Sequence, residues 1–332
     1  MKRLWLKFVV IACVILLVVA LAVISFNLYQ LVYRPMLVDK SAPVIVHLDK
    51  STTAASFIHT LKAQHLIKSE RLLLWYIRMK GWSVQLKAGI YQISAGESVH
   101  EFFARVVDGD VLNLPFRIIE GTTQYQIGDN LKSAPYLDYH PTDWLAIKDG
   151  HASAEGLLLA DTYHYDAGSG GKDLLLHANI SLRQFLDASW QQRTPGLPYQ
   201  SAYELLIAAS IIEKEASLAD EKRLIAGVII NRLRKKMRLQ MDSTVIYAFR
   251  QDYNGKLTHA DMKIDSPYNS YRYSGLPPTP ISMVGKDAIE AAAHPQLSNY
   301  LFFVSKGDGS HHFSVTYEQQ KQAIFRYMKK GK

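Results

Sequence analysis

The stretch FVVIACVILLVVALAVISF, from Phe8 to Phe26, contains no charged residue. In water such a run needs a complete apolar surround; in a bilayer the lipid supplies one. At about 1.5 Å per residue a helix over it rises roughly 28 Å, close to the thickness of a hydrocarbon core. Lys2, Arg3 and Lys7 precede it. The positive-inside bias therefore places residues 1–7 in the cytoplasm and everything after the run on the other side. Ala20-Leu21-Ala22 resembles a signal-peptide cleavage site. The apolar run continues past it, however, and Tyr29, Tyr33 and Arg34 follow as interface anchors. The favoured reading is a retained transmembrane helix over 8–28.

The remaining composition is that of a folded chain. Of 332 residues 48% are hydrophobic, 11% aromatic and 20% charged, enough for sizeable cores and against disorder. The net charge of +8 is spread along the sequence. It suits a membrane surface, a nucleic acid or an acidic polymer equally. No arginine–aromatic stripe accompanies it, so nucleic acid is not expected as a partner. Cys13 is the one cysteine, which rules out an intramolecular disulfide and a cysteine metal site. No H-E-x-x-H, Walker loop, G-x-S-x-G or dinucleotide fingerprint is present, and neither a metal nor a cofactor is expected.

After the apolar run, residues 43–112 read as a β-α-α-β-α unit. Val44–Leu48 is a short strand, TAASFIHTLKAQHLI has helical spacing, and SERLLLWYIRMKG is a helix capped by Ser69 and stopped at Gly81. KAGIYQIS is a strand. In ESVHEFFARVVDGD, Ser98 and Glu101 form a capping box and Gly109 a stop. VLNLPFRIIEG opens a second region with a strand, and short helices follow between 122 and 195. The loop DAGSGGKD (166–173) reads as a surface connection, with a lid as the alternative. Ser201 and Glu204 make a second capping box, Ser217 and Asp220 fit the start of the next helix, and NYLFFVSKGDGSHHFSVTY is a hairpin ahead of a last helix from Tyr317 to Lys329. The fold class is α+β: a transmembrane helix, a small module, and a larger α+β domain over 113–332.

The candidate chemistry lies in ASIIEKEASLADEK, which begins at Ala209. A helical wheel puts Leu205, Ala208, Ile212, Ala216 and Ala219 on one face, with Glu215 among them. Glu213 points to a flank, toward solvent or a cation. A carboxyl on an apolar face has a raised pKa, and the negative end of a helix finishing near Ser217 pushes the same way. Two readings stand: a general acid, or a buried structural glutamate paired to an arginine such as Arg238. Downstream, Asn231, Arg238, Gln240, Asp242, Ser243, Thr244, Tyr247, Tyr268, Asn269 and Tyr271 supply the hydrogen-bonding and stacking groups that sugar sites use.

Seven ordered segments carry a resemblance: ASIIEKEA, VIINRL, MRLQMDSTVIYA, SPYNSY, GLPPTPI, AAAHP and YLFFVSKGDGSHHF. Together with EGLLLADTYHY and FRIIEG, they resemble the membrane-anchored endolytic murein transglycosylases of the YceG-like family. The unit at 43–112, with its AGIY, is similar to that family's LysM-like module. The resemblance implies cleavage of the β-1,4 bond between N-acetylmuramic acid and N-acetylglucosamine in nascent peptidoglycan, leaving 1,6-anhydromuramyl ends and terminating glycan elongation. It implies one catalytic carboxyl, matching Glu215, with Glu213 as alternative and Glu155 as auxiliary. Asn231, Gln240, Asp242, Tyr247, Tyr268 and Asn269 would line the glycan cleft, with His311 beside it; Arg238, Thr244 and Tyr271 join them as glycan-binding candidates. It implies a bitopic protein of the inner membrane, facing the periplasm, with penicillin-binding proteins and other peptidoglycan synthases as partners. Three departures stand out. Ala160 replaces a usual proline, which is expected to loosen its loop; Thr279 replaces a glycine; and Met283-Val284 replace Asn-Pro. A non-catalytic peptidoglycan-binding scaffold and a muramidase-type hydrolase, with Asp242 or Glu155 as second carboxylate, are the competing readings.

Overall fold

The computed structural model describes residues 2–37, 42–249, 253 and 255–329. Residue 1 of the expected cytoplasmic segment and residues 330–332 of the expected catalytic domain lie outside these. The chain divides into two compact units, residues 1–114 with 166–168, and residues 115–165 with 169–332.

The first unit begins with α1 (Lys2–Tyr33), a helix longer than the 8–28 span expected. Within it, Trp5–Tyr33 is long and apolar enough to cross a membrane, and none of its most apolar stretch is buried in protein. The helix then leads directly into folded structure, for Leu31 and Val32 are buried in the unit's core. That core is assembled from β1 (Val44–Leu48), α2 (Ala54–Ala63), α3 (Glu70–Met79), β2 (Gly89–Ile93) and α4 (Val99–Asp108). The order β-α-α-β-α is the one expected, and β1 pairs antiparallel with β2 in the register Val46↔Tyr91. Ser69 caps α3 by accepting from the Leu72 amide, and the Ser98–Glu101 capping box is complete. Phe57, Phe102 and Phe103 form an aromatic cluster in the centre, with ring centroids 5.4–6.2 Å apart.

The second unit is mostly helical. β3 (Asn113–Arg117) forms a two-stranded sheet with β4 (Thr162–Asp166), and α5 (Gln124–Lys132) and α6 (Leu145–Lys148) lie between them in sequence. α7 (Gly171–Gln192) follows, a 22-residue helix where the sequence reading expected only short ones. The loop read as a surface connection or lid is a short link from β4 into α7. α8 (Ala202–Glu215), α9 (Ala219–Arg234), α10 (Asp242–Phe249) and α11 (Lys286–Ala293) build the centre. The chain closes with β5 (Phe302–Ser305), β6 (His311–Ser314), and α12 (Tyr317–Ile324), which continues as a wider helical turn to Lys329. β5 and β6 form the expected antiparallel hairpin, with Ser305 opposite His311.

α8 corrects the wheel argument. Every residue from Leu205 to Ile212 is buried, so the helix is apolar all round rather than on one face. It also stops at Glu215. Ala216 turns to extended backbone and Ala219 belongs to α9, so neither alanine extends an α8 face. Two caps differ as well. Ser201 accepts from the Glu204 amide, but the Glu204 carboxylate receives the amide of Gln200, leaving the box half-formed. Leu218 occupies the N-cap of α9 without a side-chain bond, so Ser217 does not cap it.

Candidate active site

Glu215 ends α8, and its surroundings come from two other elements. The chain turns back through α9, then reaches α10, whose second residue is Ser243. The Ser243 hydroxyl donates to Glu215 Oε1 at 2.6 Å, and the Ser243 amide donates to the same oxygen at 3.4 Å. Oε2 has no hydrogen-bond partner among the described residues. Burial pushes the carboxyl pKa above its ordinary 4.5, and the nearby Asp242 adds to the rise; the Ser243 bonds and His311 pull it down, and burial wins. The residue as a whole is only half-buried, leaving part of its surface open. A carboxyl raised by burial, steadied on one oxygen and unpartnered on the other, can carry a proton toward a ligand.

The structural alternative for Glu215 fails on geometry. Arg238 donates to the carbonyl of Tyr271 at 3.1 Å and forms no ion pair with Glu215. The structural glutamate is Glu213. Its Oε1 receives Lys222 Nζ at 2.7 Å and its Oε2 receives the amide of Gly285 at 2.9 Å, with the Glu213 side chain 5% and that of Lys222 12% exposed. Of the two partners expected on its flank, solvent or a cation, Glu213 therefore meets the cation. A cavity of about 310 Å³ opens beside this pair, lined also by Arg117, Asp161 and Lys286, and does not include Glu215.

The other named residues divide into two groups. Asp242 and Tyr271 face the same region as Glu215: the Tyr271 hydroxyl donates to Asp242 Oδ1 at 2.5 Å. Burial, and then that bond, push the Tyr271 pKa up. His311 is brought in by the β5–β6 hairpin. Its Nδ1 lies 2.7 Å from Glu221 Oε2 and its amide donates to Glu221 Oε1 at 2.9 Å. Tyr247 and Tyr268 pack edge to face at 4.9 Å. The Tyr247 hydroxyl donates to Glu155 Oε2 at 3.2 Å, while Glu155 Oε1 caps the amide of Gln124 at 2.9 Å. Glu155 is thus a buried brace with an aromatic neighbour. Gly156 beside it has φ +76°, and a Cβ there would lie 2.3 Å from Pro280 Cβ. The EG and PPTPI segments meet at that glycine.

The second group is directed into the protein's own backbone. Asn231 donates to the carbonyls of Ser298 and Tyr300, Asn269 to those of Met262 and Ile264, and Thr244 to that of Met241. These side chains shape loops. Gln240 is exposed, with φ +50°, and its side-chain oxygen receives the Arg232 guanidinium at 3.3 Å. Arg232, absent from the sequence reading, is buried and also holds the carbonyls of Arg238, Leu239 and Leu301. Glu221 was missed too. Ninety positions separate it from His311, and no local pattern links them. Ser243 was visible only as one polar residue among many.

Ala160 contradicts its expectation. Its amide donates to the Val284 carbonyl at 2.8 Å, a bond proline has no N–H to make, so the substitution ties this loop rather than loosening it. Thr279 is buried against the Tyr268 hydroxyl at 2.8 Å, and Met283 and Val284 are buried as well. Among the described residues no group of three or more His, Cys, Asp or Glu is placed to hold a metal ion.

With this geometry in view, the chain was compared with known proteins. The profile of the YceG-like family matches residues 46–326, starting inside β1 and so taking in most of the small unit. A Bacillus subtilis protein named endolytic murein transglycosylase is 27% identical over 317 residues, covering 89% of this chain and 88% of that one. A protein of the same name from Streptococcus pneumoniae is 27% identical over 305 residues, covering 79% of this chain and 54% of that longer protein. Among solved structures, that of a YceG-like protein from Listeria monocytogenes superposes with a TM-score of 0.54 at 26% identity, covering 85% of this chain and 99% of that one.

Proposed function

The chain belongs to the YceG-like family, and on that premise we propose that it is an endolytic murein transglycosylase cutting within peptidoglycan glycan strands, with Glu215 as its acid. The observation that supports Glu215 is its environment: buried enough to hold a proton, fixed through Oε1 by Ser243, and unpartnered at Oε2. In the proposed reaction Oε2–H protonates the glycosidic oxygen between N-acetylmuramic acid and N-acetylglucosamine, and the C–O bond breaks. The resulting carboxylate takes the proton from the C6 hydroxyl of the muramyl sugar as that oxygen closes on C1. The acid is restored, the leaving sugar keeps its new hydroxyl, and the product carries a 1,6-anhydro end. One carboxyl serves both steps, where hydrolysis needs a second to activate water.

Asp242, Tyr271 and His311, together with the Tyr247–Tyr268 pair, are the proposed sugar-facing groups. Asn231, Thr244 and Asn269 hold the loops that present them. α1 is proposed as a single-pass anchor in the inner membrane, with the second unit on the periplasmic side and the small unit as a LysM-like module. Strand termination beside peptidoglycan synthases, penicillin-binding proteins among them, follows as the cellular role. A muramidase-type hydrolase is the second reading, because Asp242 lies close enough to influence the Glu215 carboxyl and is exposed to water.

The direct test is Glu215→Gln in the full chain, incubated with uncrosslinked glycan strands. Cleavage should fall by about 10²–10⁴-fold, the usual contribution of a general acid, with the circular-dichroism spectrum unchanged. Wild-type rates in Glu215→Gln together with loss in Glu213→Gln would overturn the assignment.

A further inference from the structure

A second cavity lies in the first unit, at the root of α1. It measures about 280 Å³ and is lined by Phe26 and Gln30 from the last turns of α1, by Arg34 just after it, by Lys68 and Ser69 just before α3, and by Leu72 in its first turn. Arg34 and Lys68 are exposed, and neither side chain has an ion-pair or hydrogen-bond partner among the described residues. The nearby carboxylate of Glu70 is engaged by His59 at 3.4 Å. Two cations therefore line one cavity, and neither has an ion-pair partner among the described residues.

Depth decides what that counter-charge is. The uncharged run ends at Phe26, so if it fills the hydrocarbon core, Gln30 and Arg34 emerge within the next about 6–12 Å, the headgroup layer. No linker intervenes to lift the cavity away, because Leu31 and Val32 are already part of the folded core. The lining follows the same gradient: Phe26 and Leu72 offer apolar contact, Gln30 and the Ser69 hydroxyl offer polar contact, and the two cations offer charge. We propose that this cavity binds the phosphate of an anionic phospholipid in the outer leaflet, with Arg34 and Lys68 as its charge partners. The site rests on the reading of α1 as a membrane span. It would fix the rotation and height of the small unit on the bilayer.

The full chain, reconstituted in nanodiscs of phosphatidylcholine containing a minority of phosphatidylglycerol, provides the test. Native mass spectrometry of the released complexes should show phosphatidylglycerol enriched about thirtyfold over its bulk ratio, the scale expected for two basic side chains at a lipid surface. Arg34→Gln combined with Lys68→Gln should return the ratio to bulk. Arg71→Gln combined with Arg78→Gln, the same charge change elsewhere on α3, should leave the enrichment intact. Excess inorganic phosphate should not displace the lipid; displacement would assign the cavity to a free anion and overturn the lipid. A chain that enters the discs but shows no enrichment, or whose Arg34/Lys68 variant keeps it, overturns the site alone. A chain that fails to enter the discs overturns the membrane span and the site with it.

Discussion

At Glu215 two effects oppose each other on one carboxyl. Burial raises its pKa, Ser243 lowers it, and burial prevails. Removing the Ser243 hydroxyl should therefore raise the pKa further. In Ser243→Ala the alkaline limb of the kcat/KM profile, where the acid loses its proton, should move to higher pH, even as the rate falls through lost positioning. A downward shift would contradict the account. The same carboxyl affects stability. An acid whose folded pKa is raised favours the folded state below its ordinary value, 4.5, and this contribution is lost as pH rises through the folded value. Glutamine has no such term. Thermal melts should therefore show Glu215→Gln gaining stability relative to wild type as pH rises above 4.5, and a flat difference would count against a buried ionisable group. The sequence singled out Glu215 for a reason only partly right. Its phase on a one-faced wheel did not survive, since α8 is buried all round. What separates it from Glu213 is the neighbour each meets, Ser243 against Lys222 and Gly285, and those contacts span 28, 9 and 72 positions. Only the shortest lies within reach of a local pattern.

Among the elements, α8 and α9 form a hinge-like pair whose turn directs Glu213 and Glu215 to different neighbours. The Glu213–Lys222 bridge closes that turn. Lys222→Met leaves a buried carboxylate with only the Gly285 amide, and urea titration should show a loss of about 3–5 kcal/mol, as for other broken buried pairs. A change within 0.5 kcal/mol would mean that the pair is not buried in solution. A second contact is backbone-deep: a Cβ at Gly227 in α9 would lie 2.5 Å from the Gln296 carbonyl oxygen. Gly227→Ala should cost about 1–3 kcal/mol, the range for overpacking, and should displace the Gln296–Leu301 segment, whose Ser298 and Tyr300 carbonyls Asn231 holds and whose Leu301 carbonyl Arg232 holds. Elements with local signals were legible: the capped helices of the small unit and the Gly-containing hairpin. Lengths set by tertiary packing were not. The α8–α9 break falls close to Ser217, where it was expected, with Leu218 in place of Ser217 at the cap, but α7 runs through polar residues whose helical phase is weak.

For the whole molecule, the proposal is an enzyme held to a membrane by its first helix. Membrane fractions should contain the chain with its N-terminus retained, so that a tryptic peptide from Phe8 to Lys40 is recovered from the mature protein; a mature N-terminus at Val23 would mean a cleaved signal instead. The long apolar helix was plain from sequence because a long uncharged run has few alternatives in water. The direct continuation of α1 into the core of the small unit was not, since it depends on where Leu31 and Val32 pack. The small unit's element order was read correctly from caps and periodicity, and the expected boundary at 112/113 lies two residues from the division after Leu114, while the 166–168 excursion has no sequence signal. The central claim is that one carboxyl performs both proton transfers, and the chemistry of the new chain ends tests it most directly. The full chain in detergent, incubated with uncrosslinked glycan strands, should yield internal cuts whose new muramyl ends are 1,6-anhydro by mass spectrometry, about 18 Da lighter than reducing ends because no water is added. Reducing ends would show that water was activated and a second carboxylate is at work, and intact strands would show a binding protein in place of an enzyme.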